Sequence, residues 1–514
     1  MKKIVFINPK AKDLTVGLFS SDVVRLSKNK TLSIPRLGPM IFAALTPPHY
    51  EFIFLDDDYE DVDCDMDADM VALSAMTVQI NRAYEIADRF RSRGITVVIG
   101  GIHASVLPDE VSQHCDATII GEGENIWPEM LKDFERGVLK KFYNAKDYPP
   151  VDQLISPKID AINHNHYLMF PVQATRGCPY DCDFCSAKHA AGNRYKMKPV
   201  AQVIAEIKEY EKYNKKRFGY KKIYYFVDEN LYVNRKYTKE LFTALAKLDI
   251  LWTGQGTVDA AFDEEILELM ARSGCTSYAI GLESISEKTL AEANKPKINK
   301  SQSYDVAIKN LTKAGIIPAG YLIYGFDTDT PDVFKNTVAF VKKNHLMQPF
   351  FGVLTPYPGT RLHARVEKEN RIFDRNWDHY NSMTCVFYPK QYSPELIAEG
   401  VMWSAKQVAN MEAMKETLDY FWNHGPWARL KTLTFKERVL LRLLGLKLKK
   451  KKPEYSEFLY WAAGHKKACG YSTIYAALHL HDSIMRSDKG ESFEDLVEEE
   501  KQKQLKNRTR SNRC

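Results

Sequence analysis

Two successive series of short β-branched runs, each run followed by a helical pattern, constrain this chain more than any other feature. Such alternation folds into parallel sheets with helices on their faces. In the first series the runs fall at residues 3–7, 51–55, 70–74, 96–99 and 117–120. Residues 78–93 repeat apolar side chains at helical spacing (Ile80, Tyr84, Ala87, Phe90), and Gly94 follows where a helix terminator belongs. The pattern predicts a small doubly wound, Rossmann-like α/β domain over residues 1–142. The chain start, Met1-Lys-Lys-Ile-Val-Phe-Ile-Asn-Pro9, carries too short an apolar run for a signal peptide and reads as a first buried strand.

Ligands of doubly wound sheets sit beyond the carboxyl ends of the strands. Those ends carry Ser74-Ala-Met-Thr77, Gly100-Gly101-Ile-His103 and Gly121-Glu122-Gly123-Glu124. Any one of these runs could serve only a tight turn; three in matching positions point to the lining of a ligand crevice. Residues 143–165 contain Pro149-Pro150 and little periodicity, as a linker should. A second series follows, with strands expected at residues 170–175, 223–227, 251–254, 277–281, 317–324 and 350–354 and helical segments such as 200–213 and 263–272. Six units predict a partial (β/α)6 barrel over residues 166–390, whose chemistry belongs at the strand carboxyl ends.

Residues 391–487 then read as helical, with Ser393-Pro394-Glu395 as a cap and initial proline and Thr434-Phe-Lys-Glu437 as a capping box. Residues 488–514 are charged, poor in core residues and expected to be disordered. A chain of 514 residues exceeds what one hydrophobic core serves, so several domains are expected. No stretch approaches the run of about 18 apolar residues that a spanning helix needs. The net charge of +6 is modest for this length and calls for no nucleic-acid partner. It is unevenly spread: Lys447, Lys449, Lys450, Lys451 and Lys452 form a dense run, with Lys466 and Lys467 nearby. That run suits a solvated helix end or an acidic partner such as membrane headgroups.

Nine cysteines are present, and their spacing is not that of a disulfide framework, which suits a reducing cytoplasm. Three are packed into Arg176-Gly-Cys178-Pro-Tyr-Asp-Cys182-Asp-Phe184-Cys185, a C-x3-C-x2-C spacing just past the first strand of the second series. Three thiolates on one loop can wrap a [4Fe–4S] cubane while leaving its fourth iron open, since no fourth cysteine lies nearby. A structural zinc site would need a fourth ligand, for which His189 is a candidate.

This motif, with Phe184 before the last cysteine, resembles the radical S-adenosylmethionine superfamily. The resemblance implies that the open iron chelates the amino and carboxylate groups of S-adenosylmethionine, and that one electron from the cluster yields methionine and a 5′-deoxyadenosyl radical. It places Phe184 near the adenine. Asp228-Glu-Asn230 stands where many relatives carry Gly-Gly-Glu to meet the methionine amino group; the glycines are missing, and Asp228 is the candidate acceptor. Gly281-Leu-Glu283-Ser284 resembles the ribose-contacting position, and Gln255 is a further candidate. Each carboxylate also reads as a helix cap.

A doubly wound domain ahead of such a barrel resembles the cobalamin-binding branch of the superfamily. Pro35-Arg-Leu-Gly38, the aspartates at 56–58, Gly100-Gly-Ile-His103 near Pro108-Asp-Glu110, Gly121-Glu-Gly-Glu124 near Trp127-Pro128, and Thr355-Pro-Tyr-Pro-Gly-Thr360 fall in that branch's order. Cobalamin is then expected against Ser74, Thr77, Gly100, Gly101, His103, Gly121, Glu122, Gly123 and Glu124. The Asp-x-His-x-x-Gly motif that puts a protein histidine on cobalt is absent from Asp56-Asp-Asp-Tyr-Glu-Asp61, so His103 is assigned a turn-stabilising or tail-contacting role.

The implied reaction moves a methyl group from cobalt to an unactivated carbon of a small-molecule, lipid or tetrapyrrole substrate. Two molecules of S-adenosylmethionine are consumed per turnover, and flavodoxin or ferredoxin supplies electrons. Cyclisation or ring rearrangement with the same cofactors is the alternative. A methylthiotransferase would carry three further N-terminal cysteines, where this chain has Cys64 and Cys115, and a non-catalytic sensor would not need an open iron. The expected location is the cytoplasm, with peripheral contact to the inner membrane face through the basic C-terminal region.

Overall fold

The computed structural model describes residues 1–11, 34–191, 194–214, 223–295, 299–425, 438–439, 441–443, 446, 453–465, 493, 497–498 and 500–502. By internal contacts the chain forms two compact units. The first takes in the described residues up to Ala244 together with Thr355–Val386; the second takes in Leu245–Leu354 and the described residues from Phe387 onward.

The first unit is built on a six-stranded parallel sheet of β1 (Lys2–Asn8), β2 (Tyr50–Asp56), β3 (Met70–Ser74), β4 (Thr96–Gly100), β5 (Ala117–Ile120) and β6 (Phe142–Asn144), in the order β2-β1-β3-β4-β5-β6. Both faces are covered, which explains the near-continuous apolar strands. On one face Val5, Ile7, Val71 and Leu73 meet Ile80, Ala83, Ile86 and Phe90 of the helix Ile80–Ser92. On the other, Ile4, Phe6, Met70 and Ala72 meet Trp127, Met130 and Leu131 of the helix Trp127–Glu135 and Phe42 of the helix Leu37–Leu45. Removing a ring such as the fully buried Phe90 would cost about 3–5 kcal/mol. Gly94 ends the first helix at φ 78°, as the sequence predicts.

Two differences from the sequence expectation lie in residues 143–165. The sixth strand, β6, is three residues long and begins just ahead of that stretch. The remainder is pinned to the unit: Val151, Leu154, Ile159 and Ile162 are buried, and the Lys158 amide donates to the Met40 carbonyl at 2.9 Å. Just past it, the Tyr167 hydroxyl donates to Asp56 Oδ2 at 2.6 Å. Single apolar anchors without a period hold this segment, so a search for periodicity passes over it.

The second series of strands begins in this unit with β7 (Met169–Val172), then β8 (Thr175–Arg176) and β9 (Lys196–Met197), which pair antiparallel, and β10 (Ile223–Phe226), which pairs parallel with β7. The second unit holds β11 (Trp252–Gly256), β12 (Cys275–Glu283), β13 (Ile317–Tyr324) and β14 (Gln348–Val353), consecutive neighbours and all parallel. The helices Pro394–Val408, Met411–His424 and Pro453–Gly464 follow. Ser393 caps the first of them by accepting from the Leu396 amide at 3.3 Å. Among the described residues no helix is long and apolar enough to cross a membrane. The capping box at 434–437, Trp427, the lysines at 447, 449–452 and 466–467, and most of 488–514 lie outside the described residues.

Candidate active site

The carboxyl ends of β3, β4 and β5 converge on one cavity of about 220 Å³. Phe6, Phe42 and Trp127 give it an apolar wall, while Ser74, Gly100, Gly101 and the run from Gly121 to Glu124 line it from the strand ends. Gly101 has φ 102°, and a Cβ there would sit 2.6 Å from the Ala75 carbonyl oxygen, so backbone and not side chain faces the cavity at this point. Trp127 is fixed by an Nε1–H bond of 3.0 Å to Thr46 Oγ1. The volume is below that of most drug-sized ligand sites.

Of the nine residues expected around cobalamin, seven line this cavity, and Thr77 and His103 do not. His103 is fully buried; its Nδ1 lies 3.2 Å from Thr77 Oγ1 and its Nε2 3.4 Å from Glu110 Oε1, and its ring meets Trp377 edge-on. Glu110 also accepts from the Tyr84 hydroxyl and Trp377 Nε1, each at 2.9 Å. Burial works against its charge, yet these donors hold its carboxyl below the usual range. His103 thus braces the turn behind the crevice. The aspartates after β2 are structural as well: Asp56 accepts from Asn8 and Tyr167, and Asp57 forms a two-pronged pair with Arg82 at 2.8 and 3.1 Å.

Two further charged residues complete the cavity rim, Arg176 and Glu229. Both belong to the cysteine loop's supports. Arg176 is paired with Glu122 at 3.0 Å and with Glu124. Glu229 accepts the Gly177 amide at 2.9 Å. Gly177 has φ 93°, and a Cβ there would collide with the Arg194 carbonyl, so the chain can turn into Cys178 only with glycine at this point. Sequence reasoning missed Glu229. The usable signal was its place beside Asp228 just after β10, where alternation aims the two side chains oppositely.

Asp228, the candidate acceptor of the methionine amino group, is tied to the chain itself. It is fully buried and accepts from the Thr175 amide, Thr175 Oγ1 at 2.7 Å and the Ala174 amide at 3.3 Å. Burial pushes its carboxyl up to about 7 despite those donors. Both oxygens accept from the strand that leads into the cysteine loop.

The loop's far side is clamped by the segment after Thr355. Arg361 Nε donates to Asp183 Oδ1 at 2.9 Å, its guanidinium also holds the Asp181 carboxylate and carbonyl, and the Leu362 amide donates to the Asp183 carbonyl at 3.0 Å. Hydrogen bonds from Arg361 and Lys188 bring the Asp181 carboxyl down to about 2. Within the clamp Cys182 is buried and Cys178 and Cys185 are half-buried. Among the described residues no three His, Cys, Asp or Glu side chains are gathered closely enough to hold a metal ion, so the fit rests on the donor set. Three soft thiols on one short loop are what an iron–sulfur cluster takes. His189, the candidate fourth zinc ligand, packs its ring against Gly359, and burial lowers its pKa.

Phe184 is half-buried on the same loop. In the second unit Gln255 sits near the end of β11, half-buried, and Glu283 ends β12 at φ 62° with a 2.7 Å ion pair to Lys295.

Residues 172–341 match the radical SAM superfamily model and residues 48–131 the B12 binding domain model. The chain is 33% identical to the bacteriochlorophyllide d C-8(2)-methyltransferase of Chlorobaculum tepidum over 398 residues, 74% of this chain and 86% of that protein. It is 32% identical to the C-12(1)-methyltransferase of the same organism over 425 residues, 81% of this chain and 89% of that protein. Its fold is similar to that of the cobalamin-dependent S-adenosylmethionine radical enzyme OxsB, solved with aqua-cobalamin and S-adenosylmethionine bound, at a TM-score of 0.63 and 15% identity, covering 100% of this chain and 80% of that one. The chain thus belongs to the cobalamin-dependent radical S-adenosylmethionine methyltransferase family, whose cofactors are a [4Fe–4S] cluster, S-adenosylmethionine and cobalamin.

Proposed function

We propose that this enzyme methylates an unactivated carbon of a tetrapyrrole or lipid-like small molecule, with Cys178, Cys182 and Cys185 as the cluster ligands. The observation that carries the reading is that Arg176 and Glu229, which hold the start of the cysteine loop, also form the rim of the strand-end cavity. The similarity to two bacteriochlorophyllide methyltransferases supports a tetrapyrrole substrate. When bound, the cofactors supply one-electron cleavage of S-adenosylmethionine and a cobalt-held methyl group for transfer.

The residues of the chain do the rest by position. Ser74, Gly100, Gly101, Gly121, Glu122, Gly123 and Glu124 receive cobalamin, and Thr77 and His103 stiffen the turn behind them. Phe6, Phe42 and Trp127 keep water from the inner end of the cavity. Phe184, Asp228, Gln255 and Glu283 contact S-adenosylmethionine, and Asp228 also fixes the approach of the cysteine loop. Flavodoxin or ferredoxin delivers the electron, and the basic C-terminal region meets the membrane surface.

The test is anaerobic reconstitution with iron, sulfide and hydroxocobalamin, followed by dithionite and S-adenosylmethionine. Wild-type protein should hold a [4Fe–4S] cluster and cobalamin and release 5′-deoxyadenosine. Replacing any one of the three cysteines with alanine should abolish the cluster and 5′-deoxyadenosine but spare cobalamin uptake. A wild-type protein that takes up neither cofactor contradicts the reading.

A further inference from the structure

One buried group of charges joins the cavity to the cysteine loop and has no chemical task in the reaction. Glu122 and Glu124 flank Gly123 on the loop after β5, with side chains 16% and 7% exposed. Arg176 of β8, 11% exposed and two positions ahead of Cys178, reaches both carboxylates with Nη1, while Gln173 Oε1 accepts from its Nε and Nη2 at 3.3 and 3.1 Å. Lys196 of β9, opposite Arg176 in the two-stranded ladder, holds the other oxygen of Glu122. The Gly-Glu-Gly-Glu run that lines the cavity and the strand that launches the cysteines are thus tied by ion pairs nearly out of water.

Taking four charges out of water is costly, and their mutual attraction repays the cost only when geometry is exact. Apolar side chains would join two loops at lower cost. What the charged tie adds is direction: a guanidinium held on Nε, Nη1 and Nη2 has one orientation, and displacing Glu122 takes the carboxylate from Lys196 and one of two from Arg176. The arrangement therefore has two states, tied or broken, and each of the two loops biases the same choice.

We propose that Arg176 couples the two cofactor sites, so that cobalamin and the iron–sulfur cluster each bind more tightly when the other is present. Cobalamin seated against residues 121–124 holds Glu122 and Glu124 in place; they hold Arg176, and Arg176 sets the start of the cysteine loop. The reverse path runs from a cluster-ordered loop to the cavity rim. Linkage requires the same factor in both directions. This inference rests on the cobalamin and cluster assignments proposed above.

Anaerobic titration with hydroxocobalamin, before and after cluster reconstitution, gives two dissociation constants whose ratio is the coupling. In wild-type protein the cluster should tighten cobalamin binding by about fivefold or more, within the usual range for coupled sites. Arg176→Lys, which keeps the charge and loses the fork, should bring the ratio to about one whatever it does to cobalamin affinity by itself, and Gln173→Leu, outside the cavity lining, should lower the ratio by freeing Nε and Nη2 of Arg176. A role confined to folding would weaken binding equally with and without the cluster and leave the ratio unchanged, which overturns the proposal. A wild-type ratio of one overturns it without recourse to any variant. Failure of wild-type protein to take up either cofactor refutes the functional reading itself, a result distinct from uptake of both without coupling.

Discussion

Asp228 gives the sharpest thermodynamic prediction. Its carboxylate is fully buried and accepts three hydrogen bonds from Thr175 and Ala174. Asp228→Ala leaves three buried donors without that acceptor, at about 1 kcal/mol or more each, so a loss of about 3 kcal/mol is expected near pH 4, shrinking at higher pH as the wild-type carboxyl ionises. Asp228→Asn keeps one oxygen and separates hydrogen bonding from charge. Burial raises the native carboxyl from its ordinary 3.8 to about 7, so between pH 4 and 7 the folded state holds a proton that the unfolded state has released. Stability then falls as pH rises through that window and levels off above it, by up to about 4 kcal/mol. Asp329, also raised to about 7, contributes equally to both proteins and cancels in their difference. Urea unfolding of cofactor-free wild-type and Asp228→Asn protein, followed by circular dichroism at pH 4.5 and 8, should show the variant's deficit shrinking as pH rises. A deficit that is constant or grows with pH would refute the assignment of burial as the dominant influence on this carboxyl.

Gly101→Ala forces a side chain into φ 102° and against the Ala75 carbonyl, and should cost about 3 kcal/mol in unfolding free energy along with most cobalamin uptake; an unchanged midpoint would contradict it. His103→Ala should lower stability by about 2–3 kcal/mol, through lost hydrogen bonds and a cavity, yet leave the electron paramagnetic resonance spectrum of bound cob(II)alamin unchanged. A histidine nitrogen signal that vanishes in the variant would place this residue on cobalt. Val439, Leu443 and Leu446 are exposed at helical spacing just ahead of the lysine run, so flotation with anionic liposomes should carry wild-type protein and leave behind a variant with Lys449, Lys450, Lys451 and Lys452 changed to Gln. Equal recovery would remove the membrane-contact proposal.

Strands rich in β-branched residues were legible because composition and burial agree: 70–74, 117–120 and 317–324 match β3, β5 and β13 end to end. The Ser393 cap was legible because capping is local chemistry. By contrast, β6 occupies three residues beside Lys140 and Lys141 and gives no period to detect. The cysteine motif and the strand-end glycines could be read in advance because short spacings carry their chemistry. Their supports could not, because Arg176 finds Glu122 and Glu124 more than fifty residues away, as Thr175 finds Asp228. No local pattern announces such pairings, so the hold of Asp228 on Thr175 was not foreseen and Glu229 was overlooked.

The central claim is carbon methylation with cobalamin and a radical cluster, and the most direct measurement follows the methyl group itself. Reconstituted enzyme, a reductant and S-adenosylmethionine labelled in its methyl carbon are incubated with pigment and lipid extract from a strain lacking this gene. The account predicts one product heavier than its precursor by a labelled CH2 group on carbon, formed alongside 5′-deoxyadenosine and absent with the Cys182→Ala protein. A product that loses hydrogen or gains oxygen without label, as in cyclisation, would contradict it.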